Sequence, residues 1–280
     1  MPLKNILIHL DDTDQCQERL RLAGDLVRRH DAHLTGLYVV PDTYFAGYGE
    51  NPIFPPEVID RWEQAEQESA SNIEQNFQAF LTAQGINGEW RFEQGSLRAI
   101  VNLNARYADL TIVGMGNTES SRKYVDPFLA EDLVMESGRP ALVVPTTGKF
   151  VGFGKHILVC WNASREAVRA INDAMPLLQS ADKVTVLAVN PDDPDSGDHG
   201  DIPSADIALH MARHGVKAEA KTVRSDRSRT GKIILSHAEK KNADMIVAGA
   251  YGHSEAREWI FGGVTNTLLQ ESPVPTFLSH

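Results

Sequence analysis

The sequence predicts an α/β protein of two tandem domains, each a five-stranded parallel sheet with helices on both faces. Three observations support this fold class. The 280 residues exceed what one hydrophobic core usually supports and fit two domains of about 140 residues. Short runs of Val, Ile and Leu alternate with longer amphipathic segments, as in βαβ units. The second half of the chain also repeats features of the first.

The repeat is visible at three places. Lys4 opens KNILIHLDD, and Lys155 opens KHILVCWNAS 151 positions later. The segments ADLTIVG, from Ala108, and ADMIVAG, from Ala243, lie 135 positions apart, and ESGRPALVV and ESPVPTFLS keep that spacing. Such self-similarity is typical of a duplicated domain.

The two spacings also locate an insertion and a linker. They differ by 16 residues, which the first half carries between its first and fourth strands. Residues 42–64, rich in Pro, Gly and aromatic side chains, are the expected insertion. Residues 146–155 hold the linker, so the predicted domains are 1–147 and 153–280.

The elements follow in chain order. In the first half, strands are predicted near 3–10, 33–40, 88–94, 109–114 and 140–144, with helices near 14–30, 57–84, 96–107 and 127–137. In the second half, strands are predicted near 155–160, 183–189, 217–223, 244–249 and 275–278, with helices near 164–178, 203–214, 229–241 and 263–271. Strands such as LTIVG and MIVAG are apolar throughout, as a parallel sheet covered on both faces requires. Right-handed crossovers bring the strand-to-helix loops to the carboxyl edge, where open α/β sheets bind ligands.

Composition narrows the classes of function. A net charge of -11 opposes broad binding to nucleic acid, which relies on Lys and Arg. No apolar run approaches the ~18 residues of a membrane span. His9 interrupts the N-terminal apolar stretch, so we predict a strand there, no secretion signal and a cytoplasmic protein. Cys16 and Cys160 lack the spacing of a zinc or redox pair and are expected to be reduced thiols.

The stretch GAYGHSEAREWIFGGVT, residues 249–265, predicts a phosphate-binding loop. Gly249 ends a strand, Gly252 follows, and Gly262 and Gly263 precede a helix start. Glycine lets the main chain approach a ligand closely. A helix start offers unpaired N–H groups at the positive end of the peptide dipole.

The spacing Gly-x2-Gly-x9-Gly followed by a small or hydroxyl residue resembles the nucleotide loop of the universal stress protein family. The closing strands RPALVVP and PVPTFLS extend the resemblance to both halves. It implies a tandem universal stress protein with flavodoxin-like or Rossmann-like (adenine nucleotide alpha hydrolase-like) domains. These would form an internal pseudo-dimer across their last strands, Ala141–Val144 and Thr276–Leu278.

The resemblance also implies a ligand and a role. The ligand is ATP or AMP, with or without Mg²⁺, and the role is stress-response binding and signalling. The residues implied to bind the nucleotide are Asn162, Ser164, Gly249, Gly252, His253, Gly262, Gly263, Val264 and Thr265.

The sequence departs from the family in both halves. Relatives that bind ATP usually carry Ser or Thr directly after the third glycine, where this chain has Gly263. In the first half, Gly252, Gly262, Gly263 and Thr265 correspond to Asn117, Pro127, Phe128 and Ala130. Proline has no N–H to donate, and a phenylalanine ring takes space that phosphate oxygens need. The first half is therefore not expected to hold a triphosphate.

The end of the first strand in the second half has two interpretations. Asn162 binds a ribose or base edge and Trp161 stacks on a ring. Alternatively, Ser164 caps a helix and Trp161 belongs to the core.

Three other features also allow two interpretations. Arginines after the third strand of the second half reach a phosphate or form a solvated loop; they are Arg224, Arg227 and Arg229. A helix carries three potential zinc ligands at a spacing of four residues, for which a surface face is favoured; they are Asp206, His210 and His214. Aromatic side chains of the insertion line an apolar pocket or cap the first cleft, or else they pad the domain junction; they are Tyr44, Phe45, Tyr48, Phe54 and Trp62.

No catalytic signature is evident, with neither a GxSxG elbow nor a defensible pair of catalytic carboxylates. The favoured function is nucleotide binding in the second half. Two alternatives stay open, a nucleotide-independent scaffold that binds an unknown protein partner and a weak ATPase. Association of two chains into a further homodimer is also left open.

Overall fold

The computed structural model describes residues 3–41, 56–116, 126–150, 152–191, 204–224, 229–251 and 263–280. Within these ranges the strands are β1 (Asn5–Leu10), β2 (His33–Val40), β3 (Gly88–Gln94), β4 (Leu110–Gly114), β5 (Ala141–Val144), β6 (His156–Trp161), β7 (Lys183–Val189), β8 (Ala218–Val223), β9 (Met245–Gly249) and β10 (Thr276–Ser279). The helices are α1 (Gln15–His30), α2 (Pro56–Gln84), α3 (Leu97–Ala105), α4 (Leu129–Glu136), α5 (Arg165–Ser180), α6 (Ala205–Arg213), α7 (Thr230–Lys241) and α8 (Val264–Glu271). These elements match those predicted from the sequence.

One ten-stranded sheet runs through both halves, in the order β3-β2-β1-β4-β5-β10-β9-β6-β7-β8. Every pairing within a half is parallel. Each half has the order 3-2-1-4-5 when its own strands are numbered from one, which is the Rossmann order and differs from the flavodoxin order 2-1-3-4-5. The predicted α/β class is confirmed, and the Rossmann-like description fits it better.

The halves meet through an antiparallel pairing of β5 with β10. Thr276, Phe277 and Leu278 lie opposite Val143, Leu142 and Ala141. The predicted edge between the last strands is therefore confirmed. Because this pairing is antiparallel, the carboxyl edges of the two halves lie at opposite ends of the joint sheet.

Helices cover both faces of the sheet. Side chains of α1, α2, α5 and α6 pack into one apolar core, and those of α3, α4, α7 and α8 pack into the other. Strand residues alternate between these cores, as Leu7 and Ile8 do on β1. Both cores cross the junction between the halves.

The repeated sequence segments form the same local contacts in each half. Asp109 Oδ2 accepts hydrogen bonds from the main-chain N–H groups of Lys4 and Asn5 at 2.7 and 2.9 Å. In the second half, Asp244 likewise accepts from the N–H groups of Gly154, Lys155 and His156. The aspartate before each fourth strand thus fastens the start of the first strand, which explains the recurrence of Ala-Asp in both copies.

Of the predicted insertion, residues 42–55, which include Tyr44, Phe45, Tyr48 and Phe54, lie outside the described residues. The same holds for the side chain of Trp62. The remainder of the insertion is helical and belongs to α2. Among the helices within the described ranges, none is long and apolar enough to cross a membrane.

Phe277 tests the junction between the halves. Its side chain is fully buried on β10 opposite Leu142. Replacement by Ala leaves a cavity there, so Phe277→Ala is expected to lower the free energy of unfolding by about 3–5 kcal/mol, measured by urea denaturation. The control is Val168→Ala on α5, where Val168 is 41% exposed and a change within about 0.5 kcal/mol is expected. Equal stability of the two variants would contradict this account of the junction.

Candidate functional site

The fold places a candidate site in the second half at the carboxyl ends of β6 and β9. These neighbouring parallel strands pair Ile157 with Met245 and Val159 with Val247. The chain runs outward from β6 through β7 to β8 and then returns to β9 on the other side of β6. Open α/β sheets bind ligands at such a reversal of strand order.

The loop after β6 forms a tight turn that starts α5. Asn162 Oδ1 accepts a hydrogen bond from the Ser164 N–H at 3.2 Å, and Ser164 Oγ accepts one from the Ala167 N–H at 3.2 Å. Ala163 has a φ of 56°, in the left-handed region that favours glycine. Ser164 is therefore the N-cap of α5, as one interpretation of the sequence predicted, and Asn162 Oδ1 has a structural role.

Gly249 lets the start of α5 contact the end of β9. A Cβ added at Gly249 would lie 2.5 Å from Ala167 N and 2.5 Å from Glu166 C. Only a glycine permits this approach of strand and helix main chain. The structure thus gives Gly249 a packing role, and it brings the positive end of the α5 dipole to the candidate site.

The start of α8 forms the other wall. Gly263 is the N-cap with extended main chain, Val264 is the first helical residue, and within the described ranges no atom beyond its chain neighbours lies within 4 Å of a Cβ added at Gly263. Thr265 is buried, and its Oγ1 accepts a hydrogen bond from the Tyr251 N–H at 3.3 Å. The Thr265 hydroxyl therefore anchors the main chain of Tyr251, the last described residue before the loop. Gly252, His253 and Gly262 lie outside the described residues.

The corresponding cleft of the first half contains a buried ion pair. Arg19 on α1 and Asp11 after β1 are 2% and 7% exposed, and Arg19 Nη2 lies 2.5 Å from Asp11 Oδ2. A Cβ added at Gly114, which ends β4, would lie 2.6 Å from Arg19 Nη1. The guanidinium therefore fills the gap between α1 and β4 that the α5 main chain fills in the second half.

The turn after β1 matches the turn after β6. Asp11 Oδ1 accepts a hydrogen bond from the Thr13 N–H at 3.0 Å, as Asn162 does from Ser164. The sequence spacing of 151 aligns Asp11 with Asn162 and Arg19 with Ala170. The first copy thus has a charge pair where the second has a neutral amide and a buried methyl group. Sequence reasoning missed Arg19, although this spacing would have revealed the paired replacement.

In the first half, the main chain just before α4 lies against the end of β4. A Cβ added at Gly116 would lie 2.4 Å from Pro127 Cα and 2.4 Å from Pro127 O. The Phe128 ring is 47% exposed and lies 5.5 Å from the Arg98 guanidinium carbon, and Arg98 in turn pairs with Asp126. The ring packs on Arg98, and Pro127 instead lies against the end of β4. That the first half does not hold a triphosphate stays a prediction. Asn117 lies outside the described residues.

Burial and charge shift the pKa values of two side chains in the first cleft, His9 and Asp11. It lowers the pKa of His9, which lies beside the ion pair, to about 4. Burial alone would raise the pKa of Asp11, but Arg19, His9 and the hydrogen bonds from Thr13 lower it below its usual value. At neutral pH the cluster consists of a neutral imidazole beside a closed ion pair.

For Trp161 and the α6 histidines, the structure favours the structural interpretation over a ligand-binding one. Trp161 is half-buried and packs against the core. The His210 and His214 rings lie 4.7 Å apart on one side of α6, yet within the described ranges no three His, Cys, Asp or Glu side chains are grouped to hold a metal. Arg229 is the N-cap residue of α7, and Arg227 is outside the described residues.

Substitutions at two glycines of the site are expected to differ in their effect on the free energy of unfolding. Gly249→Ala forces a Cβ into the α5 main chain, so we expect it to lower the free energy of unfolding by about 2 kcal/mol in a denaturant titration. Gly263→Ser is the control, because its side chain has open space and serine is a good N-cap; a change within about 0.5 kcal/mol is expected. A stable Gly249→Ala variant would contradict the close approach of α5 and β9.

The lowered pKa of buried His9 is expected to reduce the free energy of unfolding in acid. The folded state takes up the His9 proton only near pH 4, whereas the unfolded state takes it up near pH 6.5, so acidification favours unfolding between these values. The expected loss between pH 7 and pH 4 is up to about 3 kcal/mol from this group. Asp11 acts in the same direction at lower pH, because its lowered pKa gives stability that is lost as the carboxylate is protonated. His9→Asn should weaken the pH dependence of the free energy of unfolding above pH 4, whereas His214→Asn, at an exposed position, should not. If the free energy of unfolding of His9→Asn varied with pH as it does in the unmodified chain, the role given to His9 would be wrong.

Comparisons with known proteins agree with this architecture. Residues 154–280 match the model of the universal stress protein family. A comparison with curated proteins found no match. A universal stress protein from Archaeoglobus fulgidus DSM 4304 is similar in structure, with a TM-score of 0.73 and 18% identity over 98% of this chain and 97% of that one. A functionally unknown protein from Pseudomonas aeruginosa PAO1 has a TM-score of 0.58 and 13% identity over 99% of this chain and 92% of that one.

The structural matches show that the fold is shared along the whole chain. The second half carries the sequence pattern of the universal stress protein family.

Proposed function

We propose that the chain is a tandem universal stress protein, with domains 1–147 and 153–280, that binds an adenine nucleotide in its second half. The observation that carries the proposal is the difference between the two clefts. The second offers the starts of two helices, α5 and α8, next to adjoining strand ends. In the first, a buried Arg19–Asp11 ion pair lies beside the end of β4, and the Pro127 main chain lies against Gly116.

The ligand chemistry follows from these groups. The N–H groups at Gly263, Val264 and Thr265 begin α8 and suit phosphate oxygens, with the open face of Gly263 leaving room for them. Asn162, Ser164 and Gly249 line the adjoining end of β6 and α5. Gly252, His253 and Gly262 complete the site by resemblance to the family. ATP and AMP are the proposed ligands, and Mg²⁺ would be held through the phosphates, since no protein metal site is present in the described part of the chain.

Binding without turnover is the proposed activity, in the cytoplasm, as part of a stress response. A scaffold that works without nucleotide is the principal alternative, because Gly263 lacks the family's hydroxyl. Equilibrium dialysis with labelled ATP and AMP separates these possibilities, since a scaffold retains neither. A phosphate-release assay separates simple binding from weak ATPase activity, which binding alone does not produce.

Gly263→Ser tests which helix start binds phosphate. It supplies the hydroxyl that is common in relatives at a position with open space, so ATP should bind about fivefold more tightly, the equivalent of one hydrogen bond of about 1 kcal/mol. Ala212→Ser is the control, because it also adds one hydroxyl but lies at an exposed position near the C-terminal end of α6, at the amino edge of the second half. Equal ATP affinity in Gly263→Ser and Ala212→Ser would argue against phosphate at α8.

A further inference from the structure

Glu166 occupies an unusual position for a carboxylate. It is the second residue of α5 and is only 3% exposed. It lies on the same helix face as Ala170 and Ala174, which pack into the core beneath α5. Its own main chain is the part of α5 that contacts Gly249. A buried carboxylate therefore lies at the seam between α5 and β9.

One oxygen of this carboxylate has no partner. Glu166 Oε1 accepts a hydrogen bond from Arg165 Nε. Glu166 Oε2 is buried and has no hydrogen-bond donor within the described ranges. A buried polar atom without a partner is costly, and such atoms are rare in folded proteins. An unpaired acceptor at a ligand cleft therefore points to a donor on the ligand.

The direction of the side chain supports this. Side chains on a helix tilt toward its N-terminal end. Glu166 lies on the sheet-facing stripe of α5, so its side chain leans toward the start of that helix, whose main chain lies against Gly249 at the end of β9. Burial alone would raise the pKa of Glu166, but the hydrogen bond and charge of Arg165, together with the nearby Ser164 hydroxyl, hold it below its usual value. The group is thus an ionised acceptor at neutral pH.

The first half provides an internal comparison. The spacing of 151 aligns Glu166 with Gln15. Gln15 is half-buried, and its Nε2 donates a hydrogen bond to the Gly148 carbonyl in the linker at 3.3 Å. The closed cleft therefore has an amide bonded to the linker where the open cleft has a carboxylate oxygen without a partner.

We propose that Glu166 Oε2 accepts a hydrogen bond from a ribose hydroxyl of the nucleotide and thereby selects ribonucleotides over deoxyribonucleotides. This inference rests on the proposed function. Phosphate is not the partner, because it carries the same charge as the carboxylate. A cation held by protein groups alone is not favoured, because no three potential metal-binding side chains are grouped within the described ranges. A neutral hydroxyl donor satisfies the free oxygen without adding charge.

The test compares ATP with 2′-deoxyATP and 3′-deoxyATP by isothermal titration calorimetry, with and without Mg²⁺. The unmodified chain should bind ATP about tenfold more tightly than at least one deoxy analogue, as expected for a hydrogen bond to a charged acceptor. Glu166→Gln keeps a neutral acceptor and should reduce this preference, whereas Glu166→Met removes the acceptor and should abolish it. Exposed Glu239→Gln on α7 is the control and should keep the full preference. Thermal denaturation checks that each variant is folded.

The outcomes separate this inference from the proposed function. Equal binding of ATP and both deoxy analogues by the unmodified chain would overturn the role of Glu166 and leave nucleotide binding intact. So would a preference that survives in Glu166→Met, or a Glu166 effect confined to solutions containing Mg²⁺, which would indicate a metal bridge. Failure of the unmodified chain to bind any of the three nucleotides would overturn both proposals.

Discussion

The contact between the first helix and the fourth strand differs between the two halves, and the proposed nucleotide site depends on that difference. In the second half this contact is main chain against main chain, and it requires the missing side chain of Gly249. In the first half the guanidinium of Arg19 lies between α1 and Gly114 and is neutralised by Asp11. Removing one partner of a buried pair typically costs about 3–5 kcal/mol because it leaves the other charge buried and unpaired, so Arg19 and Asp11 depend on each other. The two halves thus make the same contact differently, one with a buried ion pair and the other with main chain alone.

The central strand pairing explains how two such copies coexist in one chain. Pairing β5 with β10 buries an edge of each half-sheet, and both apolar cores continue across the junction. Because this pairing is antiparallel, the two clefts open at opposite ends of the sheet. A substitution in one cleft therefore leaves the strand ends of the other untouched, so the two halves carry different charges on the same fold.

Much of this architecture was predictable from sequence. Apolar runs and the repeat gave the strands, the helices and the junction, because a buried parallel sheet demands continuous apolar residues and a duplicated core demands the same pattern twice. The recurrent Ala-Asp before β4 and β9 was visible as a pattern, although its role in fastening β1 and β6 was not. Those hydrogen bonds join residues about a hundred positions apart, which no local pattern reveals.

The site was less predictable than the fold. Arg19 and Glu166 are charged residues near the start of helices, where charged side chains are usually solvated, so their burial could not be predicted from residue type. Phe128 was expected to block the first cleft because of its size, but its ring packs on Arg98 instead. In each case the direction of a side chain decided the role, and direction depends on tertiary packing.

Hydrogen exchange with and without ATP tests the asymmetry of the two clefts most directly. Saturating ATP should slow exchange of the main-chain amides at the start of α8, around Gly263 to Thr265, and leave the equivalent amides around Phe128 to Ala130 unchanged. Protection at the start of α4, with none at the start of α8, would contradict the account.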